Sequence, residues 1–246
     1  MTAFAYSNSP YPIRQDLPEA YRHAWNKLAN AGNWWTGGAR VAIAEEVRNA
    51  TTCDFCSQRK AALSPFAPLE GAHTSSTGLA ANVIDVVHRL TTDPARLTKT
   101  WLEEVTSNDL STGQYVEIIS IVVTTLCIDS FHQALGFDLE PLPAPVDGDP
   151  SRLTPSGLDA DTAWVPMIEK LGEDEADLWS QGRTGNVIRA MSLVPDAVRL
   201  LKTLSDAQYV AMEDVPNPEA SGGRAISRAQ IEFIAARVSA INDCFY

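Results

Sequence analysis

The chain has 246 residues, 45% of them hydrophobic, and a formal net charge of −12 from 19 Lys and Arg against 31 Asp and Glu. That length can bury a sizeable core in one large domain or two small ones, while the acidic balance disfavours nucleic acid, whose phosphates demand clustered Lys and Arg. No apolar run approaches the roughly 20 residues that span a bilayer, and the start of the chain lacks the basic stretch and apolar core of a secretory signal. The expectation is a protein of the reducing cytoplasm with no membrane partner.

In chain order, residues 18–31 place Ala20, Tyr21, Ala24, Trp25 and Leu28 on one helical face, which Gly32 ends. Trp34 and Trp35 follow and are expected to close the core. Thr36 is placed to cap a second helix whose Val41, Ile43, Ala44, Val47 and Ala50 turn inward. A short helix over 56–63 runs into a Pro-rich stretch. Residues 78–91 are amphipathic through Leu79, Val83, Val86, Val87 and Leu90, and another helix is expected over 95–104 after Pro94. Ser111 then caps a long helix, 113–135, which contains the most apolar run (118–127) and stops at Gly136. Residues 144–161, rich in Pro, Gly and Asp, read as a linker or surface strap. Beyond it, helices are expected over 162–171, 173–179, 186–210 with a restart at Pro195, and 227–246. The organisation is an N-terminal extension (1–17), a first unit (18–143), the linker and a second unit (162–246), together one compact all-α domain.

One pattern occurs twice. Residues 36–56 (TGGARVAIAEEVRNATTCDFC) and 227–246 (SRAQIEFIAARVSAINDCFY) align Cys53 with Cys244, Thr36 with Ser227, Ile43 with Ile234 and Val47 with Val238. Two copies of one unit imply a repeated helical fold. The first copy completes a Cys-x-x-Cys turn at Cys56. In a reducing compartment such a pair is redox-active, metal-binding or inert packing. A zinc site would need two further ligands, and no second Cys-x-x-Cys or closely spaced His pair is present, so no metal is assigned. Thr36-Gly37-Gly38 and Ser221-Gly222-Gly223 lack the Lys or spaced glycines of a phosphate loop, so no nucleotide cofactor is expected either.

The second copy, with Glu232 twelve residues before Cys244, and the preceding 186–204 stretch resemble the AhpD-like alkylhydroperoxidases of the carboxymuconolactone decarboxylase superfamily. That resemblance implies an all-α, AhpD-like fold with two related helical units, and a proton relay of Glu, Cys-x-x-Cys and a histidine four residues on. It also implies homo-oligomers. On this reading the catalytic candidates are Cys53, Cys56, Glu232 and Cys244, the substrate is a small organic hydroperoxide, and electrons come from a dithiol protein. Both copies depart from the motif. The first has Val41 where Glu232 stands and Lys60 where the histidine would be. The second reaches Tyr246 before its second cysteine. Three readings of that ending stand: a selenocysteine encoded at position 247, an early-trimmed chain, or a lost motif.

In the first copy the relay would need substitutes, for which Glu45, Glu46 and His73 are available, with Lys60 favouring the thiolate. His88 and His132 read as solvated or hydrogen-bonded helix residues, Cys127 as core, and Glu117 as the first-turn acid of its helix or a buried carboxylate near the site. Two other functions stay open: a decarboxylase-like enzyme without redox cysteines, and a non-catalytic helical oligomer.

Overall fold

The computed structural model describes residues 3–67, 69–107, 110–180, 184–242 and 244. The all-α expectation holds: among these residues there are nine α-helices and one two-stranded hairpin. Helix α1 (Asp16–Ala29) buries Tyr21, Ala24, Trp25 and Leu28, as its spacing predicts. Helix α2 (Gly37–Ala50) begins where Thr36 Oγ1 accepts the Ala39 N–H, one of the donors a helix start leaves without a partner. It turns Ile43, Ala44, Val47 and Ala50 inward, while Val41 is only half-buried. Helix α3 (Asp54–Ala61) starts at Cys53. Arg96, anchored by Asp93, donates to the carbonyls of Ala62 at 2.7 Å and Arg59 at 2.8 Å, clamping the carbonyl end of α3 where a cation is favoured.

Helix α4 (Ala81–Thr92), a 3₁₀ turn (Pro94–Arg96) and α5 (Lys99–Ser107) lead to α6 (Thr112–Leu135), opened by a Ser111/Gln114 capping box and closed by Gly136 at φ +70°. Among the described residues, α6 is the helix long and apolar enough by length and composition to cross a membrane, although its longest unbroken apolar run is far shorter than a span and half of its apolar window is buried in the core. It is the hub of the core, packed against α1, α2, α4 and α8 (Pro195–Gln208). Its two acids are held by cations: Glu117 by Arg40, and Asp129 by a two-pronged Arg48 at 2.7 and 2.8 Å.

The Pro-rich segment after α6 is a strap. Val146 N–H donates to Ala29 O at 2.8 Å, Ser151 N–H to Gly32 O at 3.0 Å and Arg152 N–H to Asn33 O at 2.8 Å. The segment thus lies along the α1–α2 connection. Strands β1 (Leu158–Asp159) and β2 (Met167–Ile168) then pair antiparallel, Leu158 opposite Ile168. Here the expected helices over 162–171 and 173–179 are replaced by the hairpin and turns. Pro166 biases Val165 toward extended backbone, and Gly172 separates the two stretches. Met167 and Ile168 are buried through this hairpin rather than on a helical face. The expected 186–210 helix is two helices, α7 (Asn186–Arg189) and α8, split at Pro195. Helix α8 packs on α1 and α6, so its Val198 and Leu204 belong to the same core as the first unit. Helix α9 (Arg228–Ile241) carries the Ser227/Gln230 capping box, and of its residues Ile231 is the one that is buried.

Candidate functional site: a cysteine pair between two histidine–carboxylate dyads

The turn after α2 places Cys53 at the N-cap of α3 and Cys56 in its first turn, both buried and both free thiols. The segment between α3 and α4 folds back so that His73 Nδ1 lies 3.6 Å from Cys53 Sγ and 3.5 Å from Cys56 Sγ. Gly71 makes this return possible, because a Cβ there would strike the Phe55 ring, and that ring meets His73 edge-on. From the core side, His88 on α4 brings its Nδ1 to 3.2 Å from Cys56 Sγ and its ring 4.2 Å from that of His73.

Each imidazole is oriented from behind by a carboxylate. His73 Nε2 meets Asp85 Oδ1 at 3.0 Å, and Asp85 also receives Arg59 at 2.5 Å and Arg89 at 3.2 Å. His88 Nε2 meets Glu46 Oε2 at 2.9 Å, with both side chains fully buried. The other oxygen of Glu46 accepts from Thr77 Oγ1 at 2.6 Å and from the Ser75 hydroxyl. With Nε2–H donated to a carboxylate, both rings present Nδ1 to the sulfurs.

The electrostatics follow from these contacts. Burial pushes the Cys56 thiol up, and hydrogen bonds from His73 and His88 outweigh it, bringing the thiol down to about 5. Burial likewise raises Cys53, but the Cys56 N–H, His73 and the Thr74 N–H bring it below the ordinary thiol value. Burial lowers His73, whereas Asp85 and the two sulfurs lift it to about 10. His88 is also raised, burial being outweighed by Cys56 and Glu46. Glu46 is lowered, since Ser75, Thr77 and His88 overcome its burial. Each of these shifts favours the charged form of its group, thiolate, imidazolium or carboxylate.

The sequence candidates separate spatially. Cys53 and Cys56 lie together with His73 and Glu46, which were proposed as relay substitutes. Glu45 is exposed and accepts from Ser76, and Lys60 is exposed. Glu117 is buried, but its partners are Arg40 and the Trp34 N–H. Glu232 is engaged by Arg228 and Tyr209, and Cys244 is exposed; among the described residues neither contacts the cluster. His88, read as an ordinary helix residue, is instead a fully buried member of the site. His132 is also buried, bonded to Tyr6 Oη and the Asp138 carbonyl. The missed signal was phase: His88 falls among Val83, Val86, Val87 and Leu90, and Glu46 among Ile43, Val47 and Ala50, so both are ionisable groups at core positions of amphipathic helices.

The ligand atoms of Cys53, Cys56, His73 and His88 lie within 4.8 Å of one another, a set that could hold a metal ion. The fold brings to the cysteine pair two further donor side chains, His73 and His88, that local spacing did not provide. A large apolar cavity of about 750 Å³, between α5, α6, α8 and the hairpin and lined by Tyr115, Trp164 and Met191, shares no residue with this cluster. No family model, curated protein or solved structure matches the chain.

Proposed function

We propose that this chain is a thiol-dependent peroxidase or disulfide reductase of the AhpD-like kind, with its redox centre at Cys53 and Cys56. The observation that carries the reading is the contact of both thiols with imidazoles that are themselves held by carboxylates. A helical repeat supports the family assignment: α2 and α9 each have 14 residues, each starts after a hydroxyl cap at equivalent positions, and each is followed three residues later by a cysteine.

Cys56, which touches both imidazoles, is the attacking thiolate. Its sulfur takes the terminal oxygen of an organic hydroperoxide, the O–O bond breaks, and the departing alkoxide takes a proton from His73 to leave as the alcohol. Cys56 is now a sulfenic acid. The Cys53 thiolate attacks the Cys56 sulfur, the departing hydroxide takes a proton from His88 beside Cys56 and leaves as water, and the Cys53–Cys56 disulfide forms. A dithiol donor protein then reduces the disulfide by exchange, becoming a disulfide itself. Glu46 and Asp85 hold the rings with Nδ1 turned toward the sulfurs.

Hydroperoxide consumption with a dithiol reductant tests the reading. Cys56→Ser is expected to lower turnover by at least about 100-fold. Cys53→Ser should instead accumulate a sulfenic acid on Cys56 that a dimedone probe captures. Unchanged turnover in the Cys53→Ser/Cys56→Ser double variant would sink the assignment.

A further inference from the structure

We propose that Cys53, Cys56, His73 and His88 bind one zinc ion, and that zinc occupancy and Cys53–Cys56 disulfide formation exclude each other. The binding half stands on geometry alone. The redox half rests on the peroxidase reading above.

Tetrahedral zinc with sulfur at about 2.3 Å and nitrogen at about 2.0–2.1 Å sets sulfur–nitrogen edges of about 3.6 Å. Three of the four such edges here measure 3.6, 3.5 and 3.2 Å, and the fourth, Cys53 to His88, lies within 4.8 Å. Both rings point Nδ1 inward and donate from Nε2 to a carboxylate, Asp85 for His73 and Glu46 for His88. This is the outer-shell arrangement that fixes the tautomer of a metal-bound histidine and makes it a better donor. The ligands come from three places in the chain, the α3 start, the following segment and α4, so one ion would tie them together. The soft thiolates and four closed positions suit zinc, and suit magnesium or calcium poorly.

With zinc in place the thiolate lone pairs are committed to the metal. Oxidation then reads as zinc bis-thiolate plus ROOH plus two protons giving the disulfide, ROH, water and free zinc. The hydroperoxide is the oxidant, it takes two electrons from the two sulfurs, and the disulfide can no longer hold the ion.

The test uses the reduced, chelator-treated full chain titrated with cobalt(II) and with zinc. One equivalent of cobalt is expected to give the strong visible bands of a tetrahedral ion and a near-ultraviolet thiolate-to-cobalt band, and zinc should displace it. Zinc should shield Cys53 and Cys56, but not Cys244, from alkylation mapped by mass spectrometry. His88→Ala should abolish the tight site, Glu46→Gln should weaken it about 10–100-fold, and Cys127→Ser should leave it intact. The alkylation map of the unaltered chain decides the matter even if a variant fails to fold. Absence of the thiolate band, or unshielded Cys53 and Cys56 at saturating zinc, overturns the site. Peroxide turnover by the metal-free chain without zinc binding rejects this inference and leaves the peroxidase. Zinc binding without turnover does the reverse. Adding hydroperoxide to the zinc-loaded chain should release one zinc per disulfide, and a disulfide formed with zinc retained would overturn the exclusion.

Discussion

At the residue scale, the clearest cost in the molecule is the Arg40–Glu117 pair, with Arg40 10% and Glu117 1% exposed in their side chains. Glu117 also accepts the Trp34 N–H at 2.7 Å, so the one carboxylate fixes the connection between α1 and α2. Burial raises its pKa, and Arg40 and the Trp34 N–H oppose that shift. Removing the cation alone strands a buried carboxylate, which costs about 3–5 kcal/mol; Arg40→Met should lose that much in urea unfolding at neutral pH. The sign with pH follows from linkage. A carboxyl raised in the folded state binds its proton more tightly there, so its favourable contribution is complete below the ordinary glutamate value and disappears as pH rises through the raised one. The deficit of Arg40→Met should therefore shrink on acidification through that window, whereas Arg40→Met/Glu117→Gln, which cannot take up that proton, should show no such recovery. Equal pH profiles for the two variants would remove Glu117 as the cause.

At the element scale, packing overrides propensity at the start of α6. A Cβ on Gly113 would enter the Trp34 indole, whose Nε1 is buried without a hydrogen-bond partner among the described residues. Gly113→Ala gains at most about 1 kcal/mol of helix propensity, against about 1–3 kcal/mol for overpacking a rigid ring. The expected result is a lower melting temperature, with the loss reduced in a Trp34→Phe background, and a higher one would show that the ring yields freely. These elements also mark where the sequence is readable. Spacing sufficed for α1 and α4 because each presents an apolar stripe to a single core, and caps placed the starts of α2 and α6. It failed over 162–179, where apolar residues are buried by a hairpin whose pairing partner, Leu158–Asp159, lay in a segment read as linker. At the site, Cys53 and Cys56 announced themselves by local spacing. His73 could be read as a candidate in the loop that follows, but its place at the sulfurs could not, and His88 gave no local sign at all, since only the return of the chain between α3 and α4 brings residues 17 and 32 positions beyond Cys56 to its sulfur.

At the scale of the whole molecule, the two repeats have unequal burial. Helix α2 lies inside the core against α1, α4 and α6, and α8 seals the other side of α1 and α6. Helix α9 presents Phe233 (75% exposed), Ile234, Val238 and Ile241 outward and is tied down chiefly at its start, where Arg228 donates to the carbonyls of Val215 and Asn217 at 3.1 Å. A 14-residue helix is marginal by itself, so α9 should open locally while α2 and α6 exchange only through global unfolding. Hydrogen exchange should show α9 amides faster than those of α6 by orders of magnitude when the chain is dilute. We expect a second copy to cover this apolar face, as the resemblance to AhpD-like oligomers implies, so α9 protection should rise with protein concentration in step with the sedimentation coefficient. Phe233→Asp should remove that concentration dependence and leave α6 unchanged, because the ring makes no contribution to the core. Protection of α9 equal to that of α6 in a dilute, monomeric sample would contradict the local-opening picture. Protection and sedimentation both independent of concentration would contradict the second copy.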